Sequence, residues 1–226
     1  MPMSQDRPKV LVSWSSGKDS AWMLHLLRQQ PELEVVGLLT TINQAFDRVA
    51  MHAVRRRLLE AQARAAGLEL WDVPLPWPCS NEEYEERMDS VIARAKSEGI
   101  KHVAFGDLFL EDIRRYRIEK LAGTGVDPIF PLWEQPTGSL ARQMIAGGLK
   151  AVLTCVDPKQ MDRRFVGRSF DPSFLAELPS AVDPCGENGE FHTFCHAGPM
   201  FSAAVPIRMG ELAERDGFWF ADVLPG

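Results

Sequence analysis

Short apolar runs alternate with segments of helical periodicity through most of this chain. The apolar runs predict strands at residues 9–13, 34–40, 68–73, 102–106, 127–130 and 149–156. The clearest helical segment, residues 49–66, repeats apolar side chains at steps of three and four, as a helix with one buried face does. Because strands alternate with helices, the sequence predicts a doubly wound α/β fold with a mainly parallel sheet.

The pattern changes after residue 157, where proline, glycine and charged residues become frequent. Further strands are predicted at 191–195, 203–208 and 218–223, and no long helical segment separates them. We therefore expect two parts. Residues 1–157 hold the parallel sheet, including the strand at 149–156, and residues 158–226 form a small C-terminal subdomain.

The stretch LVSWSSGKDSAWMLHLL, residues 11–27, joins the first predicted strand to the first predicted helix. Ligands of doubly wound sheets bind at the carboxyl ends of the strands, so this junction is a candidate site. Gly17 lets backbone N–H groups approach an anion, and the start of the helix adds positive partial charge. Ser15 and Ser20 can donate hydroxyl hydrogen bonds, and Lys18 supplies a mobile positive charge. The junction therefore predicts a phosphate site.

Two common phosphate loops do not match this stretch. A Walker loop requires glycine at the position of Val12 and serine or threonine at the position of Asp19. The dinucleotide pattern G-x-G-x-x-G is also absent. What remains is S-x-G-x-D-S. Asp19 would repel a bare phosphate, so it either binds a magnesium ion between the two or caps the following helix.

The S-x-G-x-D-S pattern resembles the PP-loop of the ATP pyrophosphatases, which cleave ATP between its α and β phosphates. Other segments resemble the diphthine ammonia ligase family and its close bacterial relatives: FGDLFLEDIRRYR at 105–117, DPCGENGEFHTFCHAGPMF at 183–201 and MHAVRRRLLEAQARAAGL at 51–68. The resemblance implies an adenine nucleotide alpha hydrolase-like fold of HUP type. It also implies that residues 1–157 bind ATP and that residues 158–226 bind substrate.

The same resemblance implies an amide-forming ligase. ATP would be split to AMP and pyrophosphate, with Mg²⁺ bound, while a carboxylate is adenylated, and ammonium would then supply the nitrogen. The acid of the family is diphthine, a modified histidine on a translation elongation factor, whereas a bacterial relative would need another acid. Ser16 stands where many PP-loop enzymes have glycine, a position that the general pattern leaves open. The chain departs from the ligase family pattern at Asn188, where glycine is common, and at FHT, 191–193, where Tyr-Glu-Thr is common.

Roles for particular residues follow from the resemblance. The expected ATP-binding residues are Ser15, Ser16, Gly17, Lys18, Asp19, Ser20 and Gly106, with Thr40, Thr41 and His52 near the adenine and Asp19 as the metal ligand. The expected catalytic residues are Lys18, Asp19, Asp107, Glu187 and Glu190. The expected substrate-binding residues are Asp112, Glu187, Asn188, Gly189, Glu190, His192 and Thr193. Carboxylates among them would position the amine or accept its protons.

Simpler interpretations of the charged residues stay open. Asp107 could cap the helix that follows its strand, and Asp112 could lie on a solvated helix face. Glu187 and Glu190 could flank an exposed Asn-Gly turn. A basic cluster could contact a triphosphate or lie on a solvated helix face; its members are Arg48, Arg55, Arg56 and Arg57.

Composition restricts the partners and the compartment. The formal net charge is −6, so contact with nucleic acid would need a local basic patch and is not favoured. The four cysteines have neither CxxC nor zinc-ligand spacing, which indicates reduced thiols and a cytoplasmic protein. No apolar stretch approaches the roughly 20 residues that span a bilayer, so no membrane contact is expected.

Two other functions are compatible with a phosphate loop on this fold. A tRNA-modifying PP-loop enzyme would normally have paired catalytic cysteines and a basic surface, and neither is evident. A regulatory nucleotide-binding module would lack the S-x-G-x-D-S order at the first turn. The ligase is therefore preferred, with ATP, ammonium and a carboxylate substrate, among them a diphthine-bearing elongation factor, as expected partners. A homodimer is left open.

Overall fold

The first sheet is mainly parallel. The predicted phosphate loop, residues 14–17, follows its central strand. The computed structural model describes residues 7–49 and 54–226. The strands of this sheet are β1 (Lys9–Ser13), β2 (Glu34–Asn43), β3 (Arg48–Val49), β4 (Glu69–Leu75), β5 (Ile100–Ala104) and β6 (Asp127–Ile129). The parallel strands lie in the order β4-β2-β1-β5-β6, and the short β3 pairs antiparallel with the end of β2. The predicted fold class is confirmed.

Helices connect the strands of this sheet and continue beyond it. They are α1 (Lys18–Leu27), α2 (Arg56–Ala66), α3 (Asn81–Ser97), α4 (Glu111–Leu121), α5 (Thr137–Ala146) and α6 (Pro172–Glu177). Helix α3 starts at a capping box between Ser80 and Glu83, and α2 ends where Gly67 takes a left-handed conformation. The predicted start of α2 at residue 49 is wrong, because Val49 belongs to a hairpin strand whose turn contains Asp47 at φ 50°.

The second sheet is antiparallel. Its strands are β7 (Lys150–Val156), β8 (Phe191–Ala197), β9 (Ile207–Arg215) and β10 (Phe218–Pro225), in the order β8-β7-β10-β9. The expectation that residues 149–156 join the parallel sheet is wrong, because both edges of β7 pair with strands of the second sheet. The predicted strand at 203–208 begins only at Ile207, since the exposed polar face of β9 leaves little apolar signal. The functional division at residue 157 stays a prediction.

One apolar core joins the two sheets. Met23 and Leu24 on α1 pack in the same buried cluster as Leu153 on β7 and Phe194 on β8. All four side chains are fully shielded from solvent. The second sheet is therefore anchored on the helix that follows the phosphate loop, so its strands can reach that loop. No helix in the described ranges combines the length and apolarity needed to cross a membrane.

The path of the chain opens a crevice beside β1. The chain proceeds from β1 to β2 on one side, whereas β5 and β6 lie on the other side of β1. Such a change of direction leaves the loops after β1 and β5 apart at the carboxyl edge, and ligands of open α/β sheets bind there. The loop at residues 14–17 follows β1, and Gly106 with Asp107 follows β5.

Three arginines of the basic cluster, Arg48, Arg55 and Arg56, are paired with acids. Asp222 on β10 accepts hydrogen bonds from Arg48 (3.2 Å, to both terminal nitrogens) and from Arg55 (3.1 and 2.5 Å). Burial alone would raise the pKa of Asp222, but these two guanidinium groups lower it overall. Arg56 pairs with Glu60 and Asp72. Asp222 thus links the second sheet to the segment before α2.

We expect Asp222→Asn to lower the free energy of unfolding by about 1–2 kcal/mol at pH 7, because two guanidinium groups lose their charged partner at a partly exposed site. The folded pKa lies below the ordinary 3.8, so this deficit is lost as the pH falls through the folded pKa. The control Glu60→Gln weakens an exposed i,i+4 pair and should cost less than about 0.5 kcal/mol. Urea denaturation measures both, and equal losses at pH 7 would contradict the assignment.

Candidate active site

A polar crevice lies where the two sheets meet at the carboxyl edge of β1 and β5. Its volume is about 770 Å³, including the part open to solvent. Four parts of the chain line it: the end of β1 with the phosphate loop and the start of α1, the loop after β5, one residue of α4, and the loop before β8 with the start of β8. The lining residues are Ser13, Ser15, Lys18, Asp19, Ser20, Gly106, Asp107, Arg117, Cys185, Gly186, Glu187, Gly189, Phe191, His192 and Thr193. Most of the residues predicted for the site are thereby brought together.

The phosphate loop takes a strained turn into α1. Gly17 is the N-cap, and no side chain caps the helix from that position, so Asp19 does not have the capping role. Ser16 adopts φ 69°, a left-handed conformation that favours glycine. Thr193 on β8 accepts the Lys18 N–H at 3.1 Å. The second sheet therefore supplies a hydroxyl at the start of the helix.

Lys18 and Asp19 form a buried ion pair at the base of the crevice. The Lys18 ammonium donates to Asp19 Oδ2 at 2.8 Å and also to the Cys185 carbonyl, and only 3% of its side chain is exposed. Burial opposes the charge, but Asp19 and Glu187 outweigh it and raise the pKa of Lys18. Oδ1 of Asp19 is buried without a hydrogen-bond partner. That oxygen is free to accept a cation.

Glu187 faces the ion pair from the loop before β8. Its Oε1 accepts the Leu108 N–H at 2.8 Å, so it also holds the loop after β5. Burial raises the pKa of Glu187 to about 7, and the nearby charge of Asp19 adds to the effect. A carboxyl group that titrates near neutral pH can take up or release a proton there.

His192 and Thr193 occupy the second and third positions of β8 beside the loop. Burial, helped by the charge of Lys18, lowers the pKa of His192 to about 4, so its imidazole is neutral at pH 7. Thr193 is buried and bonded to the start of α1. Both residues line the crevice, as the sequence predicts, but Thr193 contacts the phosphate loop itself.

Asp107 forms an ion pair with Arg117 in the wall of the crevice. Both of its oxygens accept from Arg117, at 2.6 Å and 3.1 Å, and the guanidinium lies over the Phe105 ring, 4.2 Å from its centroid. No side chain caps α4, so Asp107 does not have the simpler capping role. Gly106 packs against α1, since a Cβ there would lie 3.5 Å from the Ser20 nitrogen.

Glu190 is turned away from the crevice, into its own loop. It is 1% exposed, and its oxygens accept the Asp183 N–H at 2.9 Å and the Asn188 N–H and side-chain amide at 3.0 and 3.1 Å. Asp183 in turn accepts the N–H groups of Cys185 and Glu187. This acidic loop, residues 183–190, is therefore shaped by two internal carboxylates, which present Gly189 and Glu187 to the crevice.

Some predicted site residues lie elsewhere. The Asp112 side chain is 87% exposed and pairs with Arg115. It therefore lies on a solvated helix face, the simpler of the two interpretations given for it. Thr40 and Thr41 lie near the carboxyl end of β2, outside the lining of the crevice. His52 falls outside the described residues. The exposed Asn188 contacts Glu190 rather than the crevice.

Two residues that sequence reasoning missed contribute to the site. Arg117 lies on α4 within an alternating run of charges, and only the topology shows that its side chain reaches Asp107. Gln62 on α2 is fully buried and bonds the Ser16 carbonyl at 3.0 Å. A polar residue in the middle of the apolar stripe of α2 was the available signal, because a buried amide requires partners.

These features define a class: an α/β protein with a phosphate loop at the first strand-to-helix turn and an acidic loop across the crevice. Two family models match the chain, the diphthamide synthase N-terminal domain at residues 8–126 and the diphthamide synthase C-terminal domain at residues 137–223. The chain belongs to the diphthamide synthase family.

Relatives named diphthine–ammonia ligase align with most of the chain. The Bos taurus protein is 24% identical over 240 residues, which cover 95% of this chain and 88% of the relative. The Danio rerio protein is 26% identical over 237 residues, covering 95% and 92%. The Mus musculus protein is 28% identical over 152 residues, covering 64% and 56%. The family predicted from the motifs, and with it an enzyme of the ligases that form C–N bonds, is confirmed.

We expect Glu187→Gln to stabilise the protein at neutral pH. The pKa of Glu187 is raised from 4.5 to about 7 on folding, so the folded state loses stability as this carboxyl ionises. The gain in melting temperature over the unmodified protein should be small at pH 4.5, grow up to pH 7 and stay constant above it. Glu211→Gln, at an exposed position on β9, is the control and should show no such trend. A gain that does not depend on pH would refute the assignment.

Proposed function

We propose that this chain is an ATP-dependent ligase that adenylates a diphthine-like carboxylate, releases pyrophosphate and AMP, and transfers ammonia to the activated acid. One observation carries the proposal. The phosphate loop and the Glu187 carboxyl, whose pKa is about 7, face the same crevice, so an anion-binding element and a proton acceptor lie together. Membership of the family and the names of the relatives support this reaction class.

In the first step, a carboxylate oxygen of the acid attacks the α-phosphorus of ATP, and the bond to the β-phosphate breaks. The departing pyrophosphate gains negative charge, which the start of α1 and nearby donors stabilise. The Ser15 hydroxyl on the lining is placed to donate to its oxygens, whereas the Ser20 hydroxyl, 3.2 Å from it, donates to the Gly17 carbonyl at 3.1 Å. Lys18 supplies positive charge from the base of the crevice.

The donors present fit a magnesium ion. Asp19 offers a buried carboxylate oxygen without a partner, and the described residues hold no cluster of three or more metal-ligating side chains. Mg²⁺ commonly uses one or two carboxylates together with substrate phosphates, which matches this donor set. When bound, the ion would neutralise phosphate charge. Asp19 is then the residue that holds it, which explains a carboxylate in a phosphate loop.

In the second step, ammonia attacks the carbonyl carbon of the acyl-adenylate, and the bond to AMP breaks. Ammonium must lose a proton before it can attack, and Glu187 is the acceptor we assign, through Oε2, because Oε1 is held by Leu108. His192 stays neutral and lines the same crevice. Glu190 has a positioning role in this scheme, since its carboxylate is used within the acidic loop.

The alternative function, a tRNA-modifying enzyme that uses cysteine thiols, is less well supported than the ligase reaction. Burial raises the pKa of Cys155 to about 12 and also raises the pKa of Cys185 and of Cys195. These thiols are protonated at neutral pH, whereas sulfur transfer to tRNA needs a thiolate.

The acid substrate in the proposal is a protein-borne diphthine, such as that of an elongation factor, with free ammonium as the nitrogen donor.

With ATP, Mg²⁺, ammonium and a diphthine-bearing elongation factor, the products should be AMP and pyrophosphate. Asp19→Asn should lower kcat at least about 100-fold, because the metal ligand is lost, and should also lower Tm, because the buried Lys18 ammonium loses its charged partner. Chromatography of the nucleotides and a melting curve test both expectations. ADP as the sole nucleotide product would refute the proposal, and an unchanged kcat in Asp19→Asn would refute the role of Asp19 as metal ligand.

The rate should also depend on the ionisation of Glu187. Under limiting ammonium, kcat/KM should rise with pH to a plateau, with a midpoint near the pKa of about 7. Glu187→Gln should remove this rise and reduce amide formation while pyrophosphate release continues. The comparison variant Glu211→Gln should keep the profile. An unchanged profile in Glu187→Gln would assign the proton transfer to another group.

A further inference from the structure

Gln62 is the fully buried polar residue of α2 that reaches the phosphate loop. Its Nε2 donates to the Ser16 carbonyl at 3.0 Å and to the Cys195 carbonyl at 2.6 Å. Its Oε1 accepts from the Trp14 indole nitrogen at 2.9 Å. A single carboxamide therefore joins two residues of the loop, Trp14 and Ser16, to strand β8.

The chemistry of the partners determines how this amide is oriented. An indole N–H can only donate, so Trp14 requires the amide oxygen. The two backbone carbonyls can only accept, so they require the amide nitrogen. Both donors and the acceptor of Gln62 are engaged, and a flipped amide would lose all three bonds. The side chain is therefore held in one orientation.

The Ser16 carbonyl is held on the side away from the crevice. It accepts from Gln62 and also from the Cys195 N–H at 2.9 Å. In a planar trans peptide, the carbonyl of one residue and the N–H of the next point in opposite directions. The Gly17 N–H is thus turned the other way, where it meets the Ser15 hydroxyl of the lining at 3.3 Å.

We propose that Gln62 is a positioning residue of the phosphate loop, which holds the Ser16–Gly17 peptide with the Gly17 N–H facing the crevice. Gln62 itself is outside the crevice lining, so it acts through this peptide. The left-handed conformation of Ser16, at φ 69°, is unfavourable for serine, so the loop has reason to rearrange around Ser16 if the bond is lost. The inference rests on the proposed function only in taking the ligand to be a pyrophosphate group.

The test compares Gln62→Met with Leu59→Ala, a variant that weakens the buried face of the same helix. Leu59 is fully buried in the apolar core. The first measurement is hydrogen exchange in residues 14–18 without ligand, which Gln62→Met should accelerate and Leu59→Ala should leave unchanged relative to the rest of the chain. Equal exchange in the two variants would overturn the proposal, whatever reaction the enzyme catalyses.

The second measurement is the Kd of inorganic pyrophosphate with Mg²⁺, by titration calorimetry. Gln62→Met should weaken binding about 10- to 100-fold, because a displaced donor loses most of its contribution. Gln62→Glu keeps the acceptor for Trp14 but not the donors, so it should weaken pyrophosphate binding to a similar extent. It replaces the methionine variant in the test if that variant folds poorly. Adding Ser16→Gly to Gln62→Met should restore part of the affinity, since glycine adopts the left-handed conformation freely. Affinity unchanged in both Gln62 variants, or no recovery with glycine, would overturn the role.

Discussion

The buried ammonium of Lys18 is the constraint on which the rest of the site depends. A positive charge in a protein interior is stable only where opposite charge and carbonyl oxygens surround it. Asp19 supplies the charge, the Cys185 carbonyl supplies a second acceptor, and the Phe191 ring lies 5.3 Å away. Because Cys185 belongs to the acidic loop, neutralising Lys18 draws a distant part of the chain over the phosphate loop.

That arrangement also determines the behaviour of the carboxylates. Lys18 is already satisfied by Asp19, so it offsets little of the burial at Glu187, whose pKa rises to about 7. Asp107 has a guanidinium of its own in Arg117, and Glu190 is satisfied within its loop. Four carboxylates that look alike in the sequence therefore divide into an ion-pair member, a titrating group, a partner of arginine and a loop organiser.

The parallel sheet and the phosphate loop could be predicted from the sequence, because both are local patterns: alternation of apolar runs, and short polar motifs at a strand-to-helix turn. The sheet to which β7 belongs could not, since its apolar run fits either sheet and the choice depends on pairing with β8 and β10. Likewise Glu187 and Glu190 have equivalent positions around Asn-Gly, and only the fold of the loop separates their roles.

Ser16 shows how the fold accommodates a serine in a left-handed conformation. Glycine at this position would adopt φ 69° without strain. Serine costs conformational energy, and its hydroxyl is buried without a partner in the described part of the chain. The bonds from Gln62 and Cys195 to its carbonyl offset that cost. The loop therefore depends on contacts from α2 and β8 to a degree that a glycine loop would not.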